Sequence, residues 1–162
     1  GLAVMELADR GDSVLLFLYS PSAMNGLLKR PNVCAVLKKA GYVDLSRSEQ
    51  VLDELAMRMA SGTFPHEIGV FLGYPLKDVA AFMGLVRIPF SCQGPWRIFG
   101  NPQQSLQLAE TFRCCRMKMA ERLAGNDSPF TCLRKENPGS GGIFGESNEN
   151  GIQNQVVPCV SH

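Results

Sequence analysis

Apolar positions divide the first 124 residues into short, punctuated segments. Val14-Leu15-Leu16-Phe17-Leu18-Tyr19 is a continuous apolar run between Gly11-Asp12 and Pro21. Its length and flanks predict a buried strand over residues 13–20. Residues 2–8 read as the end of a helix. Ser20 followed by Pro21 marks the start of a short helix over residues 21–30. Val33, Val36 and Leu37 form the apolar stripe of a second, over residues 32–40. Lys38 and Lys39 lie in its last turn and Gly41 stops it. Ser46-Arg47-Ser48-Glu49 has the spacing of a capping box. In the helix that follows, Val51, Leu52, Leu55 and Met59 share about one third of the circumference, at about 100° per residue.

The next segment is apolar nearly all round. It predicts a central helix over residues 64–72, capped by Thr63 and ended by Gly73. Pro75 opens another that runs to about Leu85. Residues 88–94 read as a loop. Trp96-Arg97-Ile98-Phe99 reads as a short strand whose natural partner is the strand at 13–20. A long helix covers residues 102–124. Its stripe of Leu108, Phe112, Cys115, Met119 and Leu123 spans about 80°, which makes Cys115 a buried thiol. Leu106 and Met117 lie on the opposite side. A helix apolar on two sides is either sandwiched or offers a face to a protein partner. From Gly125 onward Gly, Asn, Ser, Pro and Gln dominate. The domain therefore ends near residue 133, and residues 134–162 are expected to form a disordered tail. The fold class is α+β: a mostly helical single domain with a small sheet that includes 13–20 and 96–99.

Composition narrows the function classes. Of 162 residues, 45% are hydrophobic and 19% charged, ordinary values for a globular chain. The formal net charge is +1, which argues against a nucleic-acid or anionic-membrane binder. The apolar run at 14–19 is far short of the roughly 20 residues that span a bilayer. No secretory leader opens the sequence, so the expected compartment is the cytoplasm. The cysteines are Cys34, Cys92, Cys114, Cys115, Cys132 and Cys159. They contain no Cys-x-x-Cys, so reduced thiols are expected and no metal site.

Three constellations invite chemistry. His66-Glu67 begins like a zinc-protease motif, but position 70 is valine where the second histidine must stand. The pair remains a candidate for acid–base catalysis. The alternative is a histidine bonded to backbone beside a carboxylate at a helix N-terminus. On a helix, His66, Gly69, Val70 and Gly73 share one face. The glycines allow either tight helix packing or a small pocket, with Gly69, Gly73 and Tyr74 as candidate ligand contacts. Cys114 points away from the apolar stripe of its helix, near Arg113 and Lys118, which makes it the candidate redox thiol. Arg113, Arg116, Lys118 and Arg122 flank that stripe as solvated charges do and form no single basic face.

The block Phe64-Pro65-His66-Glu67-Ile68-Gly69-Val70-Phe71-Leu72-Gly73-Tyr74-Pro75-Leu76-Lys77-Asp78-Val79 resembles the signature of a bacterial family of uncharacterised proteins, domain-of-unknown-function family 3793. Leu16-Phe17-Leu18-Tyr19, Gly41-Tyr42 and Gly94-Pro95-Trp96-Arg97-Ile98-Phe99 agree with it. The similarity covers roughly residues 11–133. Family members share an upstream segment with a Cys-Ala-Pro-Thr-Leu-type motif that this sequence lacks. The resemblance implies a fold but brings no activity, cofactor or partner with it. With no catalytic set complete, the preferred reading is a non-enzymatic cytosolic accessory or regulatory protein that binds a partner or small ligand. The alternatives are an enzyme using His66 and Glu67, and a thiol- or metal-linked redox protein.

Overall fold

Residues 3–9 alternate between inward Ala3, Met5 and Leu7 and outward Val4 and Glu6, the period-two pattern of a strand. In the computed structural model, which describes residues 1–62, 64–125 and 128, they form strand β1 (Ala3–Asp9). This corrects the helix end expected at residues 2–8. Gly11, with φ +85°, turns the chain, and its N–H donates to Asp9 Oδ1 at 2.8 Å. Strand β2 (Val14–Tyr19) then pairs antiparallel with β1, with a bulge between Glu6 and Ala8. The strand expected at 13–20 is present but is not buried. Phe17 is 7% exposed, whereas Leu16 is 52% and Leu18 44% exposed. Among the described residues the hairpin has helices on one face only, so alternate side chains of an all-apolar strand face outward.

Helix α1 (Pro21–Leu28) starts where Ser20 Oγ accepts from the Ala23 N–H. Helix α2 (Pro31–Lys39) buries Val33, Val36 and Leu37. It ends in a Schellman motif: Gly41, with φ +100°, donates to Lys38 O, and Tyr42 donates to Leu37 O. Helix α3 (Ser48–Ala60) buries Val51, Leu52 and Leu55 and lies against β1. The expected capping box does not form. Arg47 occupies the cap position with no side-chain bond, and the Ser46 N–H donates to Asp44 Oδ1. The turn before the helix uses that aspartate instead of the reciprocal Ser–Glu pair.

Helices α4 (Ile68–Phe71) and α5 (Leu76–Phe82) complete the main core, which runs from Leu7 and Phe17 through α1–α3 to Val79 and Ala80. Strands β3 (Phe90–Gln93) and β4 (Arg97–Phe99) make a second antiparallel hairpin. Residues 88–94 are therefore not simply a loop. Nor is β2 the partner of residues 96–99: the two hairpins form separate two-stranded sheets. Gly94-Pro95 closes β4 onto its immediate neighbour, and a short local closure costs less chain entropy than a pairing across the domain. Helix α6 (Gln103–Ala124) follows. The described residues thus hold six helices and four strands, an α+β fold. None of these helices is long and apolar enough to cross a membrane. Residues 134–162, expected as a tail, lie outside the described residues.

Candidate functional site

The segment leading into α4 decides where the candidate residues stand. Pro65 lacks an N–H, and the first bonds are short-range: Ile68 N to Pro65 O, Gly69 N to His66 O and Val70 N to Glu67 O. His66 and Glu67 therefore sit in a turn, and only Ile68–Phe71 is α-helical, in place of the helix expected at 64–72. Thr63, its expected cap, lies outside the described residues. Gly73 has φ +78° and ends α4 in another Schellman motif, with Tyr74 N donating to Gly69 O at 2.9 Å. The helical face that was to join His66, Gly69, Val70 and Gly73 does not exist, because its two ends lie outside the helix.

Tertiary packing nevertheless brings three of the candidates together. An open cleft of about 480 Å³ is lined by His66, Gly69 and Tyr74 with Phe64, Phe82, Trp96 and Arg97. Gly73 is exposed and is not part of it. The Tyr74 and Trp96 rings stack with centroids 4.4 Å apart, and Phe112 of α6 leans on both. The His66 imidazole meets the Phe82 ring edge-to-face at 4.9 Å. Gly69 forms part of the floor. A Cβ there would lie 2.9 Å from Val79 Cγ2 and 3.2 Å from Tyr74 Cδ2. Replacing Gly69 with valine is expected to cost about 1–3 kcal/mol by overpacking. A drop in urea midpoint at unchanged slope checks this; an unchanged midpoint would refute the close fit.

Beneath the cleft lies a residue that the sequence did not single out. Asp78 is 1% exposed, and four donors converge on its carboxylate. Lys77 Nζ at 2.7 Å and the Phe99 N–H at 2.9 Å reach Oδ1; Ser105 Oγ at 2.6 Å and Trp96 Nε1 at 3.0 Å reach Oδ2. Burial alone would raise its pKa, but the bonds from Lys77, Ser105, the Phe99 N–H and Trp96 outweigh burial and hold it below the usual range. Asp78 thus ties α5, the β3–β4 hairpin and α6 together. In sequence it is an ordinary acidic residue in the first turn of a helix, and three of its four partners are 18 to 27 residues away.

Glu67 faces the other side of His66. It is 5% exposed, and its Oε1 accepts from Arg58 Nη1 at 3.2 Å. The same guanidinium reaches Glu54 Oε1 at 2.6 Å and the Ala40 carbonyl at 2.7 Å, and lies 4.3 Å from the centre of the Tyr42 ring. The Tyr42 hydroxyl is buried beside the Glu67 carboxylate. Burial first, then the neighbouring Glu67 carboxylate, push the phenol above its usual range, although Arg58 pulls the other way. Arg58, Glu67 and His66 line a second, smaller and more open cleft of about 380 Å³. No hydrogen bond joins His66 to Glu67, whose carboxylate is held by Arg58 instead.

Cys114 lies away from both clefts. Its thiol is half-buried on α6 and donates to Glu110 Oε1 at 3.5 Å. Cys115 was expected to be buried and is exposed, as are Met119 and Leu123 of the same stripe. α6 buries Ser105 and Ala109 near its start and rests Phe112 on Tyr74 and Trp96, and among the described residues no element covers the stripe from Cys115 onward. Among the described residues, no three His, Cys, Asp or Glu side chains gather as a metal site.

A family model described as protein of unknown function (DUF3793) matches residues 1–132. The chain belongs to that family. The match takes in the whole aromatic cleft, Asp78 with its donors and the Arg58 cluster, so both sites lie within the family's domain. No curated protein and no solved structure matches the chain.

Proposed function

We propose that this DUF3793 protein is a non-enzymatic accessory or regulatory protein of the bacterial cytosol that works by binding a ligand in its aromatic cleft. One observation carries the reading. The cleft has aromatic walls, and the carboxylate at its base is fully occupied by the protein's own donors. Such a site offers shape and apolar surface, and its volume falls within the range of small-molecule pockets. The cytosolic placement is supported by the four described cysteines, all free thiols. A protein partner is proposed for the line of Leu106 and Met117 on α6, where each side chain is about half exposed.

The neutral apolar dye N-phenyl-1-naphthylamine tests the cleft. Its fluorescence should rise saturably with the full chain. Phe82→Glu, at a side chain 44% exposed, should abolish the rise without unfolding the protein. No saturable rise with the native protein, or an undiminished rise with the folded variant, would defeat the proposal.

A further inference from the structure

The charges around the aromatic cleft are unequal at its two ends. Arg97 stands on the rim, exposed, and makes no ion pair among the described residues. Its guanidinium lies 5.0 Å from the centre of the Phe90 ring and 5.9 Å from that of Phe99. The acid that lines the cleft, Asp78, has no acceptor capacity left, because each of its oxygens already takes two donors. Its charge is moreover matched by Lys77 at 2.7 Å. Beyond His66, at the other end, two carboxylates share one guanidinium: Glu54 and Glu67 both bind Arg58. Among the described residues, that end carries surplus negative charge, while the Arg97 end carries a positive charge with no ion-pair partner.

From this polarity, and resting on the cleft-binding reading above, we infer that the ligand is an amphiphilic organic anion: a carboxylate on an aromatic or similarly flat apolar body. The carboxylate lies at Arg97, where a guanidinium can grip both oxygens. The body runs inward over the Tyr74–Trp96 stack towards Phe64 and Phe82. The reverse orientation would push the anion against the Glu54–Glu67 side and is disfavoured. A cationic ligand of the same shape would have to turn round, with its ammonium towards the Glu54–Glu67 side, and would lose the charge-assisted contact with Arg97.

Trp96 is the single tryptophan of the chain and lines the cleft, so its emission, excited at long wavelength, reports binding directly. The full chain is titrated with 4-biphenylacetate, the neutral 4-biphenylacetamide and the cation 2-(4-biphenyl)ethylammonium. The carboxylate should bind about tenfold more tightly than the amide, as one charge-assisted bidentate contact allows, and also more tightly than the ammonium. Arg97→Gln should bring the carboxylate down to the amide's affinity and leave the amide within about twofold of its native value. If the native protein binds carboxylate and amide equally, or Arg97→Gln keeps the preference, the anion assignment is overturned while cleft binding stands. If none of the three gives a saturable change, the cleft reading falls as well.

Discussion

Replacing Asp78 with alanine is expected to destabilise the protein by about 3–5 kcal/mol, the usual cost of removing one partner from a buried ionic group. The carboxylate satisfies an ammonium, a hydroxyl, an indole N–H and a backbone N–H. Its loss leaves the buried Ser105 hydroxyl and Phe99 N–H without their acceptor, and each such orphan carries a penalty. Against a typical stability of about 5–15 kcal/mol, the variant should be marginal. Asp78→Asn retains the shape but not the charge, and turns an amide NH₂ towards two donors, so it should also be clearly destabilised. The pH dependence has a defined sign. The folded pKa of Asp78 lies below its ordinary 3.8. Its stabilisation is therefore fully present above that value and is lost as pH falls through the folded pKa. Urea unfolding measured from neutral pH to below pH 4 should show an acid limb in the native protein that is smaller in Asp78→Asn. A loss under 1 kcal/mol for Asp78→Ala at neutral pH would show that the four bonds do not hold the fold.

The second large effect is expected at Arg58. Its guanidinium serves Glu54, Glu67 and the Ala40 carbonyl, and packs on Tyr42. Arg58→Met keeps most of the stem's packing but leaves Glu67, 5% exposed, without its cationic partner. The cost should be about 3 kcal/mol, the lower end of the range for a broken buried pair, since the Arg58 side chain is itself 28% exposed. Lysine should not substitute, because a point charge cannot reach three acceptors held by a planar fork. The double variant Arg58→Met with Glu67→Met should recover most of the loss, since no buried charge then remains there. Chemical denaturation of the single and double variants decides the matter. A double variant no more stable than Arg58→Met would mean that the penalty is lost packing, not an uncompensated carboxylate.

Helix punctuation was readable from sequence because it is local. Pro21, Pro31, Gly41 and Gly73 start or stop helices through their own backbone limits. The capping box at Ser46 failed for an equally local reason, since Asp44 two residues upstream bonds the Ser46 N–H. Partnership was less legible. A strand of unbroken apolar residues looks buried on both faces, yet among the described residues β2 has cover on one side only, and Leu16 and Leu18 are exposed. The stripe on α6 has helical periodicity, but periodicity does not say whether a neighbour exists, and Cys115 is exposed.

The candidate site divides in the same way. His66, Gly69 and Tyr74 do line one cleft. What joins them is the packing of residues 64–75 on α5 and the β3–β4 hairpin, and not the helical face that the spacing implied. Asp78 was illegible because three of its partners, Trp96, Phe99 and Ser105, belong to later elements.

Helix α6 works mechanically as a cantilever. Ser105 and Ala109 fix its first two turns to the body of the protein, while every side chain from 115 to 121 is exposed. At 1.5 Å per residue, about 20 Å of rod extends past the clamp. Amides near the clamp, tied through Ser105 to Asp78, should therefore exchange more slowly than amides past Phe112. The step in protection is expected shortly after Phe112, whose ring rests on Tyr74 and Trp96.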